Sequence, residues 1–253
     1  MRLKDRVAIV TGGGSGLGAG IAKRFAEEGA SVVLADINGD NAETVAEDIR
    51  KGQTKAIAHQ LDVTDYDAAG VLVARTVEEF GTVDILVNSA GTSKHMTFLD
   101  AEPSEFKQIM AVNLEGTMFC GQHAGRVMVD KGYGRIVNIA SISGERAGVG
   151  RTGYGVSKFA VIGLTKQMAL ELGSQGVTVN AVGPGPVDTP LTAVAHSDAT
   201  RQAYLDLIPL GRYGKVEEMA DAATYLAGEQ AAYVNGHILF VDGGFVSVGI
   251  QKE

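Results

Sequence analysis

Residues 7–18 read VAIVTGGGSGLG, an apolar run followed by five glycines in eight residues, and helix-forming sequence comes next. Glycines between a first strand and a first helix let the backbone approach a phosphate, because they carry no Cβ atom. The N-terminus of the helix then offers N–H groups and a partial positive charge. The stretch therefore predicts either a flexible turn or a turn that binds a dinucleotide pyrophosphate through Gly12, Ser15, Gly16, Leu17 and Gly18. The spacing G-x-x-x-G-x-G of its glycines differs from the common G-x-G-x-x-G.

Apolar runs alternate with amphipathic segments along the rest of the chain. Strands are predicted at 6–11, 31–36, 55–63, 83–88, 134–141, 177–184 and 237–244. Helices are predicted after the glycine turn and at 41–51, 66–80, 104–130, 154–174 and 215–228. This alternation predicts an α/β fold in which helices cover both faces of a parallel sheet. No linker or repeat interrupts it, so we expect one domain over 1–253, in which 185–213 forms a lid over the substrate.

Composition excludes several classes of partner. The formal net charge of −8 argues against a nucleic-acid partner. The charged start MRLKDRVAIV and the lack of an apolar run of about 20 residues argue against a signal peptide and a membrane span. The five histidines show no ligand spacing, so we expect no metal. The single cysteine, Cys120, lies in an apolar setting and is expected to be buried. We expect a cytoplasmic protein.

The second predicted strand, SVVLAD, ends in Asp36. A carboxylate at this position accepts hydrogen bonds from the hydroxyls of an adenosine ribose and repels a 2′-phosphate. Neither Ser15 nor Ile37 beside it is charged, so no cation there favours that phosphate. The pattern predicts NAD in preference to NADP, the alternative being that Asp36 is only an exposed acid at the end of a strand.

The segment YGVSK places Tyr154 and Lys158 four residues apart at the start of a predicted helix, where they share one face. The free pKa of tyrosine, about 10, is too high for a good base at neutral pH. A nearby ammonium lowers that pKa, and the tyrosine then exchanges a proton with an alcohol or ketone. Taken alone, the pair is equally typical of an ordinary helix surface.

Polar and glycine residues also follow several of the other predicted strands. Carboxyl ends of parallel strands meet at one edge of the sheet, where ligands bind. The residues that reach this edge are Asp62, Asn88, Ala90, Gly91, Ser141, Ser143, Pro184 and Gly185, together with the glycine turn and Asp36. Their convergence predicts one shared site.

This ordered set of motifs, from VAIVTGGGSGLG to VDGG, resembles the short-chain dehydrogenase/reductase family of about 250 residues over nearly the whole chain. The resemblance implies a doubly wound, seven-stranded parallel sheet of the Rossmann type and, usually, a homotetramer. It also implies hydride transfer between a nicotinamide cofactor and a small alcohol or ketone. The apolar ending HILFVDGGFVSVGI is expected to pack against a neighbouring subunit.

The resemblance also implies roles for single residues. Ser141, Tyr154 and Lys158 match the family's catalytic serine, tyrosine and lysine, and Asn113 in MAVNLEGT matches the asparagine that holds a relay water. The family pattern gives adenine contacts to Asp62 and Val63, nicotinamide contacts to Val187 and Thr189, and further cofactor contacts to Ile37, Asn88, Ala90, Gly91, Pro184 and Gly185.

The substrate is less well defined than the reaction. Arg146 and Arg151 lie in a glycine-rich loop before Tyr154, where a guanidinium suits a carboxylate, although a contact with Glu145 or a subunit contact explains them equally. His95 and Ser143 are further candidate substrate contacts. The favoured substrate is a small polyol, sugar acid or hydroxy acid. A 3-oxoacyl thioester, a cyclic alcohol and a steroid stay open, as does a non-catalytic NAD-binding sensor.

Overall fold

The computed structural model describes residues 1–189, 192–193 and 196–247. Four residues of the predicted lid (190, 191, 194 and 195) and the last residues of the apolar ending (248–250) therefore lie outside the described part of the chain. None of the described helices is long and apolar enough to cross a membrane.

A seven-stranded sheet is the centre of the described structure, and every neighbouring pair of strands is parallel. Its order is β3-β2-β1-β4-β5-β6-β7. The strands are β1 (Val7–Thr11), β2 (Ser31–Asp36), β3 (Ala56–Gln60), β4 (Ile85–Asn88), β5 (Gly134–Ile139), β6 (Val177–Pro184) and β7 (Ile238–Val241). This confirms the doubly wound α/β fold. The strand order reverses between β1 and β4, and the crevice beyond their carboxyl ends is where such sheets bind ligands.

Helices flank the sheet on both faces. They are α1 (Gly16–Glu27), α2 (Gly39–Lys51), α3 (Tyr66–Phe80), α4 (Pro103–Met110), α5 (Gly116–Lys131), α6 (Thr152–Leu172), α7 (Asp198–Leu205) and α8 (Val216–Ala227). The helix predicted over 104–130 is two helices, α4 and α5, joined by one π-helical turn at Ala111–Glu115. That turn contains Asn113, so the interruption falls on a candidate site residue. Helix α7 lies within the predicted lid.

Two apolar layers hold the helices on the sheet. Successive residues of β1 point to opposite faces, so Ala8 and Val10 pack with α1, α2 and α8, while Ile9 packs with α3 and α5. The Val- and Ile-rich strands are buried because both faces are covered. Cys120 is buried in the second layer, as expected, and burial raises the pKa of its thiol to about 12.

Candidate active site

The glycine turn is closely packed on its inner side and open on its outer side. A Cβ on Gly12, whose φ is +65°, would lie 2.9 Å from the Cα of Ala90, and a Cβ on Gly18 would lie 2.1 Å from the carbonyl oxygen of Gly12. A Cβ on Gly16 would meet no atom within 4 Å. Ser15 caps α1 without a side-chain hydrogen bond, and no acid occupies the first turn. The first N–H groups of α1, Leu17 among them, are thus suited to an anionic phosphate.

Asp36 ends β2 beside this turn. Its Oδ2 accepts a hydrogen bond from the Gly14 N–H (2.9 Å), and its Oδ1 accepts one from the Asn38 N–H (3.0 Å). Each oxygen keeps further acceptor capacity, because an ionised carboxylate has about four lone-pair sites. Ile37 next to it is exposed. The glycine turn and the acid therefore form one rigid surface at the end of β2.

Asp62 and Val63 follow the neighbouring edge strand. The Leu61 N–H donates to the Asp36 carbonyl oxygen, which places this segment against the end of β2. The Asp62 carboxylate accepts from the backbone and side chain of Thr64, and Val63 packs tightly on Gly116 of α5. These contacts hold Asp62 and Val63 next to Asp36, as the shared-edge argument predicted.

The ends of β1 and β4 meet at the reversal of strand order. Thr11 Oγ1 donates to the Val87 carbonyl oxygen and accepts from the N–H groups of Ser89 and Ala90. Asn88 Nδ2 donates to Asn138 Oδ1 on β5 (2.9 Å), while its own buried Oδ1 has no hydrogen-bond partner among the described residues. A buried polar atom without a partner marks a position that a ligand or water can satisfy.

On the other side of the crevice, the β6 end leads into the segment assigned to the nicotinamide. The Gly185 N–H donates to the Val241 carbonyl oxygen, and a Cβ on Gly185 would lie 2.8 Å from the Cα of Asp242. Val187 is buried and pairs with Gly214 in an isolated bridge, and the Thr189 N–H donates to Thr192 Oγ1. Pro184, the last residue of β6, is buried. All of these residues lie where the fold places ligands.

Tyr154, Ser141 and Lys158 come together beyond the end of β5. Ser141 caps a short helical turn, its Oγ accepts the Ser143 N–H (3.0 Å), and it lies close enough to Tyr154 to lower the pKa of the phenol. The buried Lys158 donates from Nζ to the Ile139 carbonyl oxygen (2.7 Å), and this Nζ is 5.7 Å from the centre of the Tyr154 ring. Ser143 is buried behind Ser141.

Burial dominates the ionisation of both the Tyr154 phenol and the Lys158 ammonium. Burial is the largest influence, and it raises the pKa of Tyr154 above its ordinary value. Hydrogen bonding to Ser141 and the charge of Arg151 act in the opposite direction. Burial also lowers the pKa of Lys158 to about 8, because a buried ammonium loses its hydration. The charge of Arg151 is thus one that lowers the pKa of Tyr154 against the effect of burial.

Asn113 is fully buried in the π-helical turn before α5. Its Oδ1 accepts the Thr92 N–H (2.8 Å), while its Nδ2 donates to the Thr92 carbonyl oxygen and to Ser157 Oγ (2.9 Å each). A Cβ on Gly91 would lie 3.4 Å from Asn113 Oδ1 and 3.8 Å from Lys158 Nζ. Asn113 therefore holds the backbone at Gly91 and Thr92, after β4, close to Lys158.

The four candidate substrate residues do not all lie together. Arg151 is half-buried, with its guanidinium carbon 5.6 Å from the centre of the Tyr154 ring. Arg146 points toward the C-terminal segment, where it donates to the Phe245 carbonyl oxygen (2.9 Å). His95 is exposed and covers Gly150, since a Cβ there would lie 2.2 Å from its Nε2. Ser143 lies behind Ser141, as described above.

Aromatic residues of the predicted lid lie near Arg151. His196 stacks on Tyr204 (5.3 Å between ring centres), and its Nδ1 is 2.9 Å from the hydroxyl of Tyr213. Tyr204 is close enough to Tyr154 to raise its pKa. His196 precedes α7, Tyr204 lies on it and Tyr213 follows it, and no local motif distinguishes them, so only the folded chain places them at the site.

Comparison with known proteins agrees with this geometry. A family model described as Enoyl-(Acyl carrier protein) reductase matches residues 12–246. The chain therefore belongs to the short-chain dehydrogenase/reductase family, whose members are oxidoreductases that use a nicotinamide cofactor. Among the described residues, no group of three His, Cys, Asp or Glu side chains is arranged to hold a metal ion.

Individual relatives act on chemically diverse substrates. The chain is 36% identical over 246 residues to the 3-oxoacyl-(acyl-carrier-protein) reductase FabG of Thermotoga maritima, covering 97% of this chain and 100% of the relative. It is 40% identical over 248 residues to a 3alpha-hydroxysteroid dehydrogenase of Mediterraneibacter gnavus, covering 96% and 98%. A solved gluconate 5-dehydrogenase from Burkholderia cenocepacia, in complex with NADP and tartrate, is 34% identical with a TM-score of 0.94, covering 98% of both chains.

Proposed function

We propose that this protein is an NAD-dependent dehydrogenase that interconverts a secondary alcohol and a ketone, with Tyr154 as general acid and base. The observation that carries the proposal is that Tyr154, Ser141 and the buried Lys158 meet at the ligand-binding edge of the sheet, with Lys158 Nζ 5.7 Å from the centre of the Tyr154 ring. Family membership supports the reaction class. The complete set of Ser141, Tyr154, Lys158 and Asn113 favours an enzyme over a non-catalytic NAD-binding sensor.

The described residues fit a nicotinamide cofactor. The open side of the glycine turn at Gly16 and the uncapped start of α1 suit a pyrophosphate, and Asp36 suits a ribose with free hydroxyls. The orphaned Oδ1 of Asn88 offers an acceptor in the crevice. When bound, the cofactor supplies the hydride acceptor in oxidation and the hydride donor in reduction.

Each catalytic side chain has a separate task in this mechanism. In oxidation Tyr154, after losing its own proton to solvent, accepts the hydroxyl proton as the phenolate, and in reduction the neutral phenol gives its proton to the ketone oxygen. Ser141 donates a hydrogen bond to the substrate oxygen and stabilises its partial charge. Lys158 contributes a positive charge at the rear of the site, and Asn113 fixes the backbone beside it and holds a relay water.

NAD is the proposed cofactor because of charge at the end of β2. The Asp36 carboxylate is held by two backbone N–H groups, so it does not swing away from a 2′-phosphate without losing both hydrogen bonds. The next residues, Ile37 and Asn38, are uncharged. Because a similar gluconate 5-dehydrogenase is in complex with NADP, the proposed preference for NAD rests on Asp36.

The proposed substrate is a small polyol, sugar acid or hydroxy acid. Polar groups near Tyr154, namely Arg151, Ser93 and His196, support this class. A neighbouring structure that contains tartrate agrees with it. The similarity to a FabG reductase and to a hydroxysteroid dehydrogenase keeps a 3-oxoacyl thioester and a cyclic or steroid alcohol as second candidates.

A homotetramer is also proposed. Helix α6 carries exposed apolar side chains, Val156, Phe159 and Leu170, which a second copy of the chain would cover. We further propose that 185–213 acts as a lid, because Arg201 on α7 pairs with Asp188 across it (2.8 Å). A buried, free Cys120 fits the reducing cytoplasm.

The experiment that tests the function is a screen of NAD⁺ reduction by the purified protein, followed by absorbance of NADH. The panel contains polyols, sugar acids, hydroxy acids, cyclic alcohols and a steroid alcohol, and each is repeated with NADP⁺. We expect turnover of a small polar alcohol with NAD⁺. Binding of NADH without turnover of any alcohol, or of any matching ketone in the reverse direction, would identify a sensor instead.

A further inference from the structure

We propose that Arg151 binds a carboxylate of the substrate and that His196 positions its guanidinium, which makes the substrate a short hydroxy acid in oxidation and a keto acid in reduction. This inference rests on the proposed function, and it selects one substrate class from those that the site accommodates. It follows from five observations on Arg151 and its surroundings.

Arg151 is a half-buried cation without an acidic partner among the described residues. Its Nη1 donates to Ser93 Oγ (3.2 Å), and its Nη2 lies 3.4 Å from His196 Nε2. Other arginines of the chain form ion pairs, as in Arg2–Glu28, Arg24–Asp221 and Arg212–Glu218. Partial burial of a guanidinium without a carboxylate partner costs desolvation free energy. An anion bound in the site would offset that cost.

The position of Arg151 on its helix increases this penalty. Arg151 is the residue that caps the N-terminus of α6, and it makes no side-chain capping bond. The N-terminus of a helix carries a partial positive charge, which disfavours a cation and favours an anion. The start of α6 therefore adds to the positive potential of the guanidinium. The guanidinium carbon lies 5.6 Å from the centre of the Tyr154 ring.

His196 holds the guanidinium without neutralising it. An arginine only donates hydrogen bonds, so Nε2 of His196 is the acceptor and the proton of the neutral ring is on Nδ1. That Nδ1–H donates to the Tyr213 hydroxyl at 2.9 Å. Burial and the charges of Arg151 and Arg201 lower the pKa of His196, which keeps the ring neutral near pH 7. A carboxylate in its place would have cancelled the charge that a substrate anion needs.

The surroundings of His196 fix its orientation. The ring stacks on Tyr204 with centres 5.3 Å apart, and Tyr213, which is buried, lies under the guanidinium of Arg201 at 4.1 Å. Arg201 is itself paired with Asp188, so its charge is compensated where that of Arg151 is not. His196 is thus a positioning residue, and Arg151 is the residue that contacts the substrate.

The distance from Arg151 to Tyr154 limits the length of the substrate. A carboxylate that accepts two N–H bonds from Arg151 lies about 3 Å from its nitrogens. The reacting hydroxyl must lie at a similar distance from the Tyr154 phenol. With the two side chains adjacent, both groups belong to one short carbon chain, as in a 2- or 3-hydroxy acid or a sugar acid.

The test compares each hydroxy acid with its own methyl ester, because the ester keeps the reacting alcohol and loses the charge. With wild-type protein and NAD⁺, we expect kcat/KM for the acid to exceed that for the ester by about tenfold to a hundredfold. Arg151→Gln should bring this ratio close to one, and Arg151→Lys should give an intermediate value. Partial loss of folding lowers both rates equally and leaves the ratio unchanged.

Two further variants separate positioning from binding. His196→Phe keeps an aromatic ring for stacking on Tyr204 but removes the hydrogen-bond acceptor for Arg151. It should therefore raise KM for the acid and lower the acid-to-ester ratio of kcat/KM severalfold. Arg75→Gln, at an exposed arginine on α3, serves as the matched control and should leave the ratio at the wild-type value. A wild-type ratio at or below one, or a ratio that Arg151→Gln does not change, overturns the proposal.

A binding measurement separates this inference from the proposed function. Calorimetric titration of tartrate into the wild-type protein with NADH involves no turnover, because the reduced cofactor cannot accept a hydride from tartrate. We expect saturable binding that Arg151→Gln abolishes and Arg75→Gln preserves. Tartrate binding without oxidation of any alcohol would refute the proposed function alone, whereas alcohol oxidation without Arg151-dependent tartrate binding would refute the anion site alone.

Discussion

The guanidinium of Arg151 lies 5.6 Å from the centre of the Tyr154 ring and lowers the pKa of the phenol, which burial raises. A side chain assigned to substrate binding therefore also acts on the proton that the reaction moves. Since a bound carboxylate would offset the charge of Arg151, substrate charge and tyrosine ionisation are coupled at this site.

The first prediction concerns the pH dependence of that coupling. Removal of the cation in Arg151→Gln should raise the pKa of Tyr154 further, because burial is then opposed by Ser141 alone. The rise of kcat/KM with pH for oxidation of a neutral alcohol should shift to higher pH. The measurement is a pH–rate profile from pH 6 to 10, with Arg75→Gln as control. An unchanged or oppositely shifted profile contradicts the coupling.

Tyr154→Phe isolates the proton transfer. The ring remains in place and only the hydroxyl is lost, so the packing around Lys158 changes little. We expect kcat to fall by about a thousandfold or more, in the upper range for loss of a general acid or base. NADH affinity, measured by fluorescence titration, should stay within about threefold of the wild-type value. Retained turnover would mean that another group carries the proton.

Asp36→Asn tests the origin of cofactor preference. The amide oxygen still accepts one backbone N–H bond, but the negative charge disappears, and with it the repulsion of a 2′-phosphate. We expect the ratio of kcat/KM for NAD⁺ to that for NADP⁺ to fall by about tenfold or more. The same substrate is used with both cofactors, so changes in folding cancel. A wild-type preference for NADP⁺ would contradict the charge argument.

Asn113→Ala should lower both stability and activity. The variant leaves both backbone groups of Thr92 and the hydroxyl of Ser157 without their buried partner. We expect the free energy of unfolding to fall by about 3 kcal/mol, measured by urea denaturation. Ser157→Ala, which removes only one of these partners, is the graded control and should cost less. Equal losses in the two variants would show that the Thr92 contacts contribute little.

Much of this site follows from the sequence. All seven strands, the glycine turn and the residues at the carboxyl edge are predictable because strand and helix periods and glycine spacing are local patterns. The π-helical turn at Ala111–Glu115 is not, since its apolar pattern is that of one continuous helix. The contact between Arg151 and His196 joins residues 45 positions apart, so no local pattern encodes it.

The ionisation of Tyr154 was also beyond the sequence. The spacing of Tyr154 and Lys158 indicates that an ammonium is near the phenol, and that part is correct. The net direction of the pKa shift depends on how strongly the fold buries the hydroxyl, which only three-dimensional packing determines. Sequence therefore identified the reacting groups, while their proton affinities required the structure.

The lowered pKa of Lys158 predicts how stability changes with pH. Burial lowers its pKa to about 8 from the ordinary lysine value of 10.5, so between these values the unfolded chain binds a proton that the folded chain does not. Stability contributed by this group therefore rises as pH increases from 8 to 10.5, with a limiting slope of about 1.4 kcal/mol per pH unit. Below pH 8 both states are protonated, and the cost of burying the charge is constant.

Lys158→Met removes the titrating group and keeps an apolar stem of similar length. The difference in unfolding free energy between wild type and variant, from urea denaturation at pH 7, 8, 9 and 10, cancels all other titrations. We expect this difference to change least between pH 7 and 8 and to move more steeply in favour of the wild type from pH 8 to 10. A flat difference up to pH 10 would show that Lys158 keeps an ordinary pKa, because its charge would then be equally stable in both states.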